Sequence, residues 1–261
     1  MNPSSPQNNE PIPAILHYFW IPKGGGLGPS RRLLECRQSM LRLHPQWTAY
    51  EWNLGGYALQ LDHIGDDDPM DAYDQYPVAF EAKGLFEDPH FPRQSINVES
   101  FLDRMQQWTS TNPLEPVQAD LLKLTALYLH GGFVVDYDIW GLRPLDRFRQ
   151  DDLVFAEISP DFVGEALIAA RPLDPRIRQI LLTFVDTAMP ENGICFANLS
   201  DYCHNRYPAY PTDYFIGSTR EGGKFTITPN THTVHLWSNH DYDLAELKRT
   251  AAELSPTLAL K

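Results

Sequence analysis

Positive charge is scarce in this sequence of 261 residues, which has 21 lysines and arginines against 34 aspartates and glutamates. The formal net charge of −13 argues against a protein that binds nucleic-acid phosphates or anionic lipids through a broad basic face. We therefore expect no nucleic-acid partner. A local anion pocket would contain few cations, so a bound phosphate would need help from a metal ion.

Cysteine is also scarce, and the three cysteines form no metal or disulfide pattern. Cys36, Cys195 and Cys203 contain no Cys-x-x-Cys pair, and a site made of Cys195, Cys203 and His204 lacks a fourth ligand. Free thiols in a reducing compartment are therefore expected.

Long apolar runs are missing as well. No segment reaches the ~18–20 apolar residues that cross a membrane, so no membrane span is predicted. Residues 1–10 lack the positive and apolar regions of a signal peptide and are interpreted as a disordered lead. We expect a cytoplasmic location, although a secreted effector without a conventional signal peptide stays open.

Apolar residues make up 43% of the chain, enough for one sizeable core. The run Ile15–Ile21 predicts a buried strand. Ser30 is a suitable N-cap for a helix that reaches Leu43, and Pro45 stops it. Trp47–Trp52 alternates like a second strand. This order of strand, helix and strand predicts an α/β sheet with a nucleotide-sized crevice at the strand ends.

Val117–His130 is the clearest helix of the sequence, and it is apolar nearly all round, as buried helices are. Gly131 and Gly132 end it, and Phe133–Val135 forms a short buried strand that runs into Asp136 and Asp138. Later strands are predicted at Leu153–Glu157, Ala166–Ala170, Phe225–Thr228 and Val234–Trp237, and later helices at Pro175–Ala188 and Asp243–Leu254.

An Asp-x-Asp pair alone is a weak signal, because 21 aspartates in 261 residues give about 1.7 such pairs by chance. The sequence contains three of them, Asp66/Asp68, Asp136/Asp138 and Asp241/Asp243. The first lies in a charged loop and the last precedes a helix, where an N-cap explains it. Only the middle pair directly follows a buried apolar strand.

Asp136 and Asp138 would face the same side of a strand, ~6.6 Å apart along it. Two carboxylates so placed repel each other unless a cation or donors lie between them, and Mg²⁺ or Mn²⁺ meets that need. Exposed carboxylates with local caps are the alternative, and the spacing leaves both interpretations open.

Asp120 and Lys123 share one face of the apolar helix. They form either a simple ion pair or a polar face that opens onto a ligand.

Two segments together resemble a known family. Residues 117–146 read VQADLLKLTALYLHGGFVVDYDIWGLRPLD, and residues 15–21 read ILHYFWI, with a histidine followed by a tryptophan. They are similar to the sugar-nucleotide glycosyltransferases with a DXD sugar-binding region. That group includes the yeast-type initiating mannosyltransferases, capsule-type bacterial transferases and the catalytic domains of large clostridial glucosylating toxins. The order and separation of the two blocks also match.

The resemblance implies a role for each matching residue. Trp20 would stack on the nucleotide base, and Asp120 would bind the ribose or the donor sugar. Asp136 would contact ribose, sugar and metal, while Asp138 would be the principal ligand of Mn²⁺ or Mg²⁺. Lys123, in place of the family's arginine, would neutralise a phosphate or pair with Asp136.

Residues 234–238 resemble the histidine-containing end segment of the same family. His235 is therefore the candidate third metal ligand, with His240 as second choice. The alternative for a lone histidine is a hydrogen bonder at a strand end.

The sequence also departs from the family. Lys123 lacks the bidentate fork of arginine, Val134 replaces a frequent tyrosine, and Ala119 replaces a small hydroxyl residue. The usual Ser-Trp pair of the end segment is missing. These departures leave open a degenerate, non-catalytic nucleotide-sugar-binding domain. A haloacid-dehalogenase-type phosphatase ranks lower, because its Asp-x-Asp motif usually lies near the N-terminus.

The predicted fold is a single GT-A-like α/β domain with a Rossmann-like mixed sheet flanked by helices. It spans residues 11–240, and residues 241–261 form a C-terminal helix packed on it. The predicted function is a metal-dependent, retaining transfer of a sugar from a UDP- or GDP-sugar. The acceptor, whether a glycan, a lipid-linked glycan or a protein, is not specified by the sequence.

Overall fold

A mixed β-sheet forms the centre of the described chain in the computed structural model. The structure describes residues 10–20, 29–52, 57–61, 83–84, 115–159, 162–186, 203, 206–218, 225–237 and 244–254. The strands within these ranges are β1 (Ile15–Phe19), β2 (Thr48–Trp52), β3 (Tyr57–Leu61), β4 (Lys83–Gly84), β5 (Gly132–Val135), β6 (Ile139–Gly141), β7 (Leu153–Ser159), β8 (Phe162–Ala170) and β9 (Thr233–His235).

The described helices lie on both faces of this sheet. They are α1 (Arg31–Leu43), α2 (Glu115–His130), α3 (Pro175–Asp186), α4 (Thr212–Phe215) and α5 (Leu244–Leu254), with a 3₁₀ helix at Asp146–Gln150. On one face α2 and α3 share a core cluster with β5 and β8, and on the other face α1 and the 3₁₀ helix share a second cluster. None of the described helices is long and apolar enough to cross a membrane.

Seven of the described strands form the main sheet in the order β4-β3-β2-β1-β5-β8-β7. The pairs β1–β2 and β1–β5 are parallel, whereas β2–β3, β3–β4, β5–β8 and β7–β8 are antiparallel. A second, two-stranded sheet joins β6 and β9 in antiparallel register. The predicted α/β class with a mixed sheet flanked by helices is confirmed.

Local sequence signals explain the two helices that lead to the site. The Ser30 side chain accepts a hydrogen bond from the Leu33 amide at the start of α1, and the helix ends just before Pro45. Residues 122–129 of α2 are all buried, and apart from Lys123 and Thr125 they are apolar, as is typical of a buried helix. Gly131 and Gly132 follow at φ +63° and +97°. A Cβ on Gly132 would lie 2.8 Å from the Ile15 carbonyl oxygen, so glycine is required there.

The strand predicted at Phe225–Thr228 is wrong. Only Phe225 pairs, in a single antiparallel bridge with Ser218. The Thr228 amide donates to the Thr231 hydroxyl, and the Thr228 hydroxyl accepts from the Asn230 amide. These local side-chain bonds satisfy the backbone in a turn and so compete with a strand ladder.

His17 joins β1, β2 and the end of α2 through two buried hydrogen bonds. The Trp52 indole donates to His17 Nδ1 at 3.0 Å, so the imidazole is neutral and Nε2 donates to the Gly131 carbonyl at 2.8 Å. Burial lowers the pKa of His17 to about 3. The histidine of the N-terminal block therefore holds the backbone that leads into β5.

This histidine gives a pH-dependent contribution to folding. Between pH ~6.5 and 3 the unfolded chain binds a proton at His17 and the folded chain does not. The contribution of neutral His17 to the free energy of unfolding is therefore fully present above this window and is lost as the pH falls through it. This one group changes the free energy of unfolding by at most about 1.4 kcal/mol per pH unit. In urea unfolding, the stability difference between wild type and His17→Gln should shrink from pH 7 to pH 4. Parallel curves for the two proteins would contradict this role.

Candidate active site

The site lies at the carboxyl-terminal ends of the parallel central strands β1 and β5, which form one edge of the main sheet. Their register pairs Leu16 with Phe133 and His17 with Val134. Extending this register places Trp20, just past the end of β1, beside the chain that follows β5. Parallel strands end at a common edge, where α/β sheets usually bind their ligands.

Asp136 and Asp138 lie in a turn, and not on the strand as the spacing argument assumed. Strand β5 ends at Val135, and the Ile139 amide donates to the Asp136 carbonyl at 3.1 Å, which closes a reverse turn. The prediction that a strand pleat separates the two carboxylates is therefore wrong. The turn nevertheless brings them together, because ligand atoms of Asp136, Asp138 and His235 all lie within 4.8 Å of one another.

The small sheet delivers His235 to this turn. Strand β9 pairs with β6 so that His235 lies opposite Ile139, the residue after Asp138. The Leu236 amide also donates to the Asp138 carbonyl at 2.8 Å. His235 Nε2 consequently lies 3.0 Å from Asp138 Oδ1. His235 thus reaches the acidic pair from a position 97 residues away in the sequence.

Further contacts fix the orientation of the His235 ring. Its centroid lies 4.0 Å from that of Trp237, and the Trp237 indole donates to the Ser218 hydroxyl, which in turn donates to the His235 carbonyl. Trp237 has a positive φ of 44°, a strained backbone conformation of the kind that occurs at functional sites. The second-choice ligand, His240, lies outside the described residues.

The atoms of this cluster fit a divalent ion. Two carboxylates provide the oxygen ligands that Mg²⁺ and Mn²⁺ prefer, and the imidazole adds a nitrogen ligand. His235 Nδ1 is buried without a hydrogen-bond partner among the described residues, so Nε2 is the ring nitrogen that faces the acids. The structure brings together the three residues that the sequence nominates as metal ligands. Their role as ligands stays a prediction.

Lys123 lies between two carboxylates. Its ammonium is 2.7 Å from Asp136 Oδ1 and 3.3 Å from Asp120 Oδ1. Burial alone would lower the pKa of Lys123, but the nearby carboxylates, Asp136 first, raise it above its ordinary value. Lys123 therefore stays charged, and both interactions considered from the sequence, with Asp120 and with Asp136, are present.

Glu165 is a member of this charged cluster that the sequence analysis missed. It lies on β8, is 4% exposed, and has one carboxyl oxygen without a hydrogen-bond partner among the described residues. Burial raises its pKa well above the usual value, as does repulsion by Asp120. A single acid within the apolar segment Phe162–Ala170 was the available signal, but the predicted strand began one residue after it.

Trp20 and Arg32 approach the same edge from the N-terminal part of the chain. Trp20 is half-buried, and its ring meets the Tyr137 ring edge to face at 5.5 Å. Arg32, on α1, donates to the Leu236 carbonyl at 3.3 Å and places a cation beside the segment that contains His235. Sequence reasoning nominated Trp20 but missed Arg32, which has no local motif.

A cavity of about 630 Å³ lies elsewhere in the molecule and is lined by Leu153, Arg176, Tyr210 and Tyr214, among others. Leu153 pairs with Ala170, and Ala170 pairs with Gly132, the first residue of β5. The cavity therefore lies toward the sheet edge opposite Asp136. It is separate from the reverse turn at Asp136–Ile139, which we call the acidic turn.

A known family model matches the part of the chain that contains Asp136 and Asp138. Residues 30–155 match the family model of the glycosyltransferase sugar-binding region containing a DXD motif. No curated protein sequence matches the chain. The solved structure of PaToxG glycosyltransferase is similar at 15% identity and a TM-score of 0.49, over 74% of this chain and 69% of that one. The matched region contains Asp136 and Asp138, and it supports the resemblance to DXD-type glycosyltransferases, which are enzymes.

Proposed function

We propose that this chain, whose residues 30–155 match a DXD-containing glycosyltransferase region, is a metal-dependent, retaining transferase that uses a UDP- or GDP-sugar. The observation that supports the proposal most strongly is the convergence of Asp136, Asp138 and His235 within 4.8 Å at the sheet edge. The retaining outcome comes from the family resemblance. The acceptor is a glycan, a lipid-linked glycan or a protein.

Asp136, Asp138 and His235 would hold Mn²⁺ or Mg²⁺. When bound, such an ion supplies positive charge that stabilises the diphosphate leaving group. A net charge of −13 makes this supply of charge important, because the chain has few cations to offer a diphosphate. Asp138 is assigned as the principal ligand, and His235 Nε2, 3.0 Å from Asp138 Oδ1, is close enough for one ion to contact both atoms.

We assign Lys123 to holding Asp136, and not directly to the leaving group. Its ammonium already contacts two carboxylates, at 2.7 and 3.3 Å. Metal-binding carboxylates are commonly held by such a second group, which fixes their orientation. Lys123 also balances part of the negative charge of Asp120 and Asp136, whose carboxylates it contacts.

Trp20 and Asp120 are assigned to the donor. Trp20 is half-buried at the end of β1, where one face of its indole can stack on a nucleotide base. Asp120 would accept hydrogen bonds from hydroxyls of the ribose or the donor sugar. Both residues lie at the same end of the sheet as the acidic turn. Asp120 lies there because Lys123, which contacts it, also contacts Asp136.

One observation favours a second candidate, a nucleotide-sugar-binding domain without transfer activity. The cation that stands where the family has an arginine is engaged by two carboxylates. Release of the nucleoside diphosphate from a sugar nucleotide distinguishes the two candidates. A transferase releases it with bound metal, at least slowly to water, whereas a binding domain does not.

A thermal-shift screen of UDP-, GDP- and CDP-sugars, with and without Mn²⁺, tests the proposed function. One nucleotide class should raise the melting temperature, and only when Mn²⁺ is present. At a ligand concentration 100 times Kd the stabilisation is about 2.7 kcal/mol. A shift that does not depend on metal, or no shift with any donor, would count against the proposal.

A further inference from the structure

Tyr137, the residue between the two aspartates, points away from them into a buried polar cluster. Its hydroxyl donates to the Glu51 carboxylate and accepts from Arg37 Nη1 at 3.1 Å. Arg37 Nη1 and Glu51 Oε2 are 2.5 Å apart. Arg37, Glu51 and Tyr137 come from α1, β2 and the acidic turn, so three separate elements are joined at one point.

The Tyr137 ring also contacts the residue assigned to the nucleotide base. It meets Trp20 edge to face at 5.5 Å and lies 5.4 Å from the Tyr18 ring. The Arg37 guanidinium lies over the Tyr137 ring, 5.6 Å from its centroid. One side chain is therefore in contact with Trp20, while its backbone lies between Asp136 and Asp138.

Burial of this charged cluster costs free energy that a purely structural role would not require. Arg37 has a side chain only 5% exposed, and burying an ion pair costs free energy that well-packed apolar residues would not. Apolar residues could fill the same space between α1 and β2. Apolar residues could not bind the Tyr137 hydroxyl. They would therefore leave the orientation of the acidic turn, and of its two carboxylates, without this support.

We propose that Tyr137 is a positioning residue, held by Glu51 and Arg37, that sets the acidic turn for metal binding and links it to Trp20. The proposal rests on the proposed function, because it takes Asp136 and Asp138 as metal ligands. Tyr137 itself touches neither the ion nor the donor diphosphate in this assignment. Groups that orient metal ligands typically change metal affinity 10- to 100-fold when they are removed.

The experiment measures Mn²⁺ affinity by electron paramagnetic resonance on the wild-type chain and on the variants Tyr137→Phe, Glu51→Gln and Tyr18→Phe. Tyr137→Phe removes one hydroxyl and should weaken Mn²⁺ binding about 10-fold. Glu51→Gln should weaken it in the same direction. Tyr18→Phe is the matched control, because the buried Tyr18 hydroxyl has no hydrogen-bond partner among the described residues. It should leave the affinity unchanged.

A second readout separates positioning from general destabilisation. Transfer activity of Tyr137→Phe should return toward the wild-type rate when Mn²⁺ is raised about 10-fold, since the ligands are present but poorly aimed. Because bound Mn²⁺ would also stabilise a partly unfolded protein, activity is compared under conditions in which urea unfolding without Mn²⁺ shows Tyr137→Phe to be folded. Equal Mn²⁺ affinity in wild type, Tyr137→Phe and Glu51→Gln would overturn the positioning role and leave the metal site intact. Failure of the wild type to bind Mn²⁺ would instead overturn the proposed function and, with it, this inference.

Discussion

Asp138→Asn should reduce the rate of sugar transfer by about 1,000-fold or more, equivalent to about 4 kcal/mol of transition-state stabilisation. The substitution keeps the shape of the side chain and removes its charge. His235 Nε2 can still donate to the remaining oxygen, so the local hydrogen bond of 3.0 Å need not be lost. The loss is expected because an amide is a far weaker ligand for Mn²⁺ or Mg²⁺ than a carboxylate.

The unfolding free energy of Asp138→Asn should not fall, because the change relieves repulsion between Asp138 and Asp136. The measurement is steady-state release of the nucleoside diphosphate at saturating donor. Asp152→Asn is the matched control, since Asp152 is an exposed acid next to Arg171 at the opposite sheet edge. A rate for Asp138→Asn close to that of the control would remove Asp138 from the site.

Lys123→Met should lower the unfolding free energy by about 3–5 kcal/mol, the usual cost of removing one partner from a buried ion pair. Lys123 is 8% exposed, and the carboxylates of Asp120 and Asp136 that it contacts would be left without their shared cation. Urea unfolding at pH 7 measures the change. The loss should diminish as the pH falls, because the carboxylates then become neutral.

The double variant Lys123→Met/Asp136→Asn should regain part of the stability that Lys123→Met loses, since one uncompensated carboxylate has been removed. Residues in contact are expected to show such coupling. Metal binding should not return with stability, because Asp136 is an assigned ligand. Additive losses in the double variant would show that Lys123 does not balance Asp136.

The elements with strong local signals were predictable from sequence. Helix α1 begins after Ser30 and ends before Pro45, and α2 ends at His130, directly before Gly131 and Gly132, as these glycines indicate. The buried strand before Asp136 is also present. Boundaries differ by a few residues. Phe225–Thr228 forms no strand, because the Thr228 amide donates to the Thr231 hydroxyl in the turn that follows.

The geometry of the site depends on contacts that no local pattern encodes. Asp136 and Asp138 approach each other through a reverse turn, and β6, which fixes the position of His235, has only three residues. Resemblance to the family, and not spacing, nominated His235. Glu165 and the partners of Tyr137 were missed because strand register and helix packing bring them to the site from distant parts of the chain.

The central claim is that Asp136, Asp138 and His235 together hold a divalent ion at the donor diphosphate. Crystals grown with MnCl₂ and the nucleoside diphosphate selected by the thermal-shift screen test it, using anomalous scattering at the manganese edge. The account predicts one manganese peak in contact with Asp136, Asp138, His235 and the diphosphate, with the base against Trp20. A nucleotide bound at this edge without manganese, or manganese bound away from these side chains, would contradict the account.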